Sequence, residues 1–195
     1  LTGREGLIGL SFGHRTVRDA EHWLREVVRP LELPGLVACT HLVRVPYPHV
    51  AISLAANAEP PAHLTSVPPD LRDAAGHAAA EHATRRSGRA VFYPGVERLT
   101  GTLTVAEVTA LSAVDRVTGL GGPPPEPGTE LETRDFVRPL WQDGLLTLVT
   151  VPVAGGRVAP FEVPDPTPCC ADTGHATGWP PAKPVARRSR GLGAG

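Results

Sequence analysis

Between residues 16 and 31 the apolar positions recur every three or four residues: Val17, Ala20, Leu24, Val27, Val28 and Leu31 form a stripe that predicts an amphipathic helix. Thr16 and Asp19 have the spacing of a capping box, with Asp in place of the usual Glu, and Pro30 closes the segment. Glu21 and Arg25 fall as an i,i+4 pair on what this periodicity makes the wet face. The pattern then changes to two nearly unbroken apolar runs, 36–45 and 50–56, joined by Pro46-Tyr47-Pro48-His49. Runs that do not alternate predict strands covered on both faces, and so central in a sheet.

A proline-rich link, 57–69, leads to an alanine-rich stretch from Asp70 to Ser87. It predicts a helix with Leu71, Ala74, Ala75, Ala78 and His82 on its inner face and Gly88 as its stop. Residues 89–93 predict a short strand ending at Pro94-Gly95. Thr104 and Glu107 form a second capping box, and Val105, Val108, Leu111, Val114 and Val117 extend helical spacing to Thr118, with a strand alternative over 99–105. The run 121–128 is a stiff proline-glycine connector. From Glu130 onward the pattern is strand-like again, with a turn at Gln142-Asp143-Gly144; segments 145–153 and 157–163, turning at Ala154-Gly155-Gly156, give the best hairpin signal, and Pro152 and Pro160 place them at an edge or at bulges.

These elements predict an α+β fold: a mostly antiparallel sheet of five or six strands packed by two or three helices. Residues 1–14 read as a loose lead-in, 15–163 as a single domain, and 164–195 as a proline- and glycine-rich tail expected to be flexible and largely disordered. The chain begins at Leu1 and has no methionine, which reads as a fragment or an unusual start. With 19 basic and 20 acidic residues the net charge is −1, so no broad field gathers polyanions, and nucleic acid is not an expected partner. No apolar run approaches the ~20 residues of a membrane span. A soluble, cytoplasmic protein is expected.

Candidate chemistry concentrates in the cysteines. Cys169 and Cys170 are adjacent, with His175 shortly after, and Cys39 and His41 share one face of a predicted strand. Thiolates and imidazoles suit a soft metal, so Cys169, Cys170, His175, Cys39 and His41 form one candidate site, with zinc the metal expected if any is held. The spacing departs from familiar zinc patterns, and no cofactor is otherwise expected. On the second helix, Asp70, Asp73, His77 and Glu81 fall near one face, which reads first as a solvated surface. The histidines His41 and His49 lack the Ser or Thr two residues on that two-histidine phosphoesterases need, since Val43 and Ala51 stand there. Neither a nucleophile elbow nor a phosphate loop occurs.

With no convincing catalytic set, the sequence favours a non-catalytic binding or regulatory module. A small molecule or protein would sit beside Tyr47, Tyr93 and Trp141. The alternative is a metal- or thiol-dependent protein built on Cys169-Cys170 and His175, and a homo-oligomer that hides apolar sheet surface is a third expectation.

Overall fold

The computed structural model describes residues 6–164. Among the described residues there are ten strands: β1 (Gly6–His14), β2 (Val37–Val43), β3 (His49–Ala56), β4 (Arg89–Phe92), β5 (Thr102–Thr104), β6 (Arg116–Gly119), β7 (Glu130–Glu132), β8 (Leu140–Gln142), β9 (Leu145–Val153) and β10 (Arg157–Pro160). Three α-helices, α1 (Val17–Trp23), α2 (Arg72–Ala83) and α3 (Val105–Leu111), accompany them. All strands belong to one sheet in the order β1-β3-β2-β4-β8-β9-β10-β7-β5, with β6 alongside β9. Most pairings are antiparallel, and β6–β9 and β7–β10 are parallel.

This is the expected α+β class with a larger sheet than the five or six strands predicted. Strand β5 falls within the strand alternative at 99–105 and β7 and β8 within the strand-like stretch from Glu130, each only three residues long, whereas β1 and β6 are additions to the expected set. The lead-in 1–14 is also corrected, because β1 runs from Gly6 to His14 and pairs with β3. Its glycines conceal an alternation, with Ile8, Leu10 and Phe12 packing in the core on the α1 side. Helix α3 ends at Leu111, and the valines that extended its spacing belong elsewhere, Val117 on β6. The β9–β10 hairpin forms as read. Its prolines lie on interior strands, but Pro160 escapes conflict because β7 bridges β10 only at Val158.

The capping box at Thr16 is present in full, with Thr16 Oγ1 accepting from Asp19 N–H and Asp19 returning to the Thr16 amide. Helix α1 then continues through a π turn, Leu24–Val28, and a 3₁₀ turn, Arg29–Leu31.

The strands β1, β3 and β2 form the middle layer of a sandwich. On one face Leu10, Ala38, Val50, Ile52 and Leu54 meet Ala20, Leu24 and Val28 of α1 and its extension. Each fully buried branched side chain there contributes about 1.5–3 kcal/mol of transfer free energy. The opposite face, under α2, carries small and polar residues: Gly9, Ala51 and Ser53, with His41 from β2. A Cβ built on Gly9 would lie 1.8 Å from the Ala75 carbonyl oxygen, so only glycine lets α2 approach this closely. A second core lies around α3 and the later strands, where Val108, Leu131, Leu146 and Leu148 are fully buried. No helix among the described residues is long and apolar enough to cross a membrane.

Candidate functional site: a sealed relay and an open arginine cleft

Two polar clusters stand out from this scaffold. The first lies between the sheet and α2. Strand alternation turns His41 and Ser53 toward the helix, and the last turns of α2 bring Glu81 and His82 down to meet them. Glu81 Oε2 accepts from His41 Nδ1 at 2.9 Å, and Ser53 Oγ lies 2.8 Å from His41 Nε2 and 2.8 Å from His82 Nδ1. An ionised carboxylate only accepts, so His41 carries its proton on Nδ1. Ser53 then donates to His41 Nε2 and accepts from His82 Nδ1–H.

Burial holds His41 below the ordinary imidazole value, with Glu81 partly opposing it. Burial, then the charges of His41 and Arg85, push His82 down to about 4. Both rings are therefore neutral at pH 7. Beside them burial raises the Cys39 thiol to about 12, so it stays protonated and unreactive.

Ser, neutral His and Glu in this order is the wiring of an acyl-transfer nucleophile. Access rules that chemistry out in this arrangement, because Ser53 is 0 % exposed and both of its hydrogen-bonding directions are used. Lifting α2 to admit a substrate would carry Glu81 and His82 away and dismantle the set it uncovered. The cluster fastens helix to sheet.

The second cluster is on the α1 side. Glu21, read in the sequence as a wet-face residue, is 4 % exposed and receives three guanidinium groups. Arg25 Nη2 approaches Oε2 at 2.6 Å, Arg89 Nη1 approaches Oε1 at 2.5 Å, and Arg138 straddles both oxygens at 3.0 and 3.3 Å. Burial disfavours the carboxylate, but the hydrogen bonds and charges of Arg138 and Arg89 outweigh it and hold the group below its ordinary value. Arg138 also lies over the Phe136 ring at 4.2 Å, and Arg89 reaches Glu162.

Above this cluster opens a cleft of about 510 Å³, between the α1 extension and the end of β4. Arg25, Arg29 and Arg138 give it positive charge, Leu33, Leu36 and Phe92 give it apolar surface, and Glu32 and Glu97 also line it. The Pro94-Gly95 turn forms part of the wall; a Cβ on Gly95, at φ 82°, would fall 2.1 Å from the Leu111 carbonyl oxygen.

The aromatic trio expected to share a ligand does not converge. Tyr93 borders the cleft but is 2 % exposed, and its hydroxyl donates to the Val137 carbonyl. Tyr47 lies in the β2–β3 turn, at the other end of β2, under the Arg15 guanidinium. Trp141 is buried on β8, with Arg85 over its ring at 5.1 Å. Of the candidate metal ligands, Cys39 and His41 do share a strand face, but both ring nitrogens of His41 are already bonded. Among the described residues no group of three or more His, Cys, Asp or Glu is placed to hold a metal. Cys169, Cys170 and His175 lie outside the described residues.

Sequence reading missed Ser53 and the Glu21 cluster. Ser53 does leave a trace, as the single hydroxyl inside the apolar run 50–56. Of the partners of Glu21 only Arg25 leaves one, since Arg89 and Arg138 lie 68 and 117 residues away. No family model matches the chain, and no curated protein or solved structure matches it either.

Proposed function

We propose that the protein is a non-catalytic binding module whose ligand is a small organic acid held in the arginine cleft. The observation that carries this reading is the pairing of oriented guanidinium groups with an apolar wall in one open cleft. Glu21 fixes Arg25 and Arg138 from below, so little side-chain freedom is lost when an anion arrives. Glu21, Glu32 and Glu97 together balance Arg25, Arg29 and Arg138, so no surplus of positive charge draws a polyphosphate, and a single carboxylate is recognised through the guanidinium hydrogens that Glu21 leaves unused. Leu33, Leu36 and Phe92 then favour an apolar body attached to that carboxylate.

Thermal denaturation with acetate, octanoate, phenylacetate and pyrophosphate tests this directly. The apolar acids are expected to raise Tm saturably, by several degrees at a hundredfold excess over Kd (about 2.7 kcal/mol). Acetate should do less, and Arg29→Gln should roughly halve the shift at the same concentration, since a tenfold weaker Kd leaves about 1.4 kcal/mol. No response to any of the acids, or a stronger one to pyrophosphate, would overturn the reading.

A further inference from the structure

The groups under α2 form a chain along which a proton can be passed. With both imidazoles neutral, every donor has an acceptor, and His82 Nε2 keeps a lone pair. His82 is 6 % exposed, which leaves a path for a proton to that nitrogen. A proton arriving there is accommodated by two transfers. His82 Nδ1 gives its proton to Ser53 Oγ, and Ser53 gives its own to His41 Nε2. His82 ends neutral with its proton on Nε2, the Ser53 hydroxyl points the opposite way, and His41 becomes an imidazolium facing Glu81. One proton has been added and no hydrogen bond lost.

We propose that Ser53 is the hub of a one-proton relay that couples the tautomer of His82 to the protonation of His41, and that α2 stays seated through the first proton and is released by the second.

The surroundings place the charge. From β2 come Cys39 and His41, from β3 Ser53, from α2 His77, Glu81 and His82, from the turn after it Arg85, and from β8 Trp141. Glu81 is the one anion in this set, and it touches His41. Arg85 and a charged His41 both oppose a charge on His82. The turn after α2 closes over His41, since a Cβ on Gly88 would stand 2.7 Å from its Cε1. A second proton must charge His82. Two imidazolium rings would then both donate to one serine oxygen while the serine proton lost its acceptor. The remaining hold on the helix is an inner face of Ala74, Ala75 and Ala78, which buries little apolar area.

Imidazole ¹H–¹⁵N spectroscopy of the full chain, labelled at histidine and assigned with His41→Gln and His82→Gln, tests the relay. As pH falls from 7.5, His82 is expected to pass from the Nδ1–H to the Nε2–H tautomer with the same midpoint as the charging of His41. Amide exchange in α2 should rise by tenfold or more only when His82 itself becomes charged. Ser53→Thr should keep the coupling and Ser53→Ala should remove it. If Ser53→Ala does not fold, the titration of the parent decides alone. A His82 that keeps Nδ1–H while His41 charges, or two rings that charge together, would overturn the proposal.

Discussion

The relay beneath α2 and the arginine cluster beneath α1 lie on opposite faces of the same sheet, and each offers half of what a functional site needs. Around Ser53 the atoms are ordered as in an acyl-transfer enzyme, with every contact between 2.8 and 2.9 Å, and nothing can reach the nucleophile. Around Glu21 there is no nucleophile or neutral base, but two of its three arginines, Arg25 and Arg138, are held at a cleft open to solvent. The difference teaches that hydrogen-bond order does not identify a site by itself. A buried polar chain that satisfies itself stabilises a fold, whereas charged donors with unspent hydrogens beside open apolar surface can receive a ligand.

The largest effect should come from breaking the second cluster. Glu21→Ala leaves Arg138, 9 % exposed, without a carboxylate and Arg89, 14 % exposed, with Glu162 alone. Urea denaturation should show a loss of about 3–5 kcal/mol. A loss below about 1 kcal/mol would mean that the arginines find other partners and that the cluster organises nothing.

On the other face, Gly9→Ala forces a methyl against the Ala75 carbonyl, and overpacking of this kind costs about 1–3 kcal/mol. Ser53→Ala should fall in a similar range, about 1–3 kcal/mol, because His41 Nε2 and His82 Nδ1 both lose their partner. Binding of octanoate at the cleft should survive it unchanged. A fluorophosphonate probe should leave Ser53 of the folded parent unlabelled, and a stoichiometric adduct there that depends on His41 would restore the catalytic reading.

Acidification should act on the two faces in succession. His41 and His82 have folded pKa values below 6.5, so their contribution is complete above that pH and is lost as pH falls toward about 4. Glu21 is depressed below 4.5, and its contribution is lost only at lower pH. Stability measured against pH should thus begin to fall below about 6.5, with the same onset and a shallower slope in His82→Gln. The smallest effect on stability belongs to Arg29→Gln, within about 0.5 kcal/mol for an exposed side chain with no described partner. Its loss should still weaken carboxylate binding about tenfold.

Local signals carried much of the fold into the sequence. Both capping boxes, the strands β2 and β3 and the β9–β10 hairpin follow from short-range pattern and turn chemistry. Strand β1 escaped because Gly9 and Ser11 break its apolar run for reasons set by partners elsewhere: α2 must pass close over Gly9, and Ser11 bonds His49. The sites were less legible than the fold. Glu81 was visible as one of a row of polar residues on α2, but its role depends on His41, 40 residues earlier, which only sheet topology supplies. Glu21 shows the same limit, since the i,i+4 rule found Arg25 and could not find the two arginines that make the carboxylate a buried anchor.

Segment-resolved hydrogen exchange, with and without saturating octanoate, tests the assignment of function to the open cleft most directly. Protection is expected to rise in residues 25–36 and 91–97 and to stay unchanged in α2. Protection concentrated in α2, or none in the cleft segments despite binding, would contradict it.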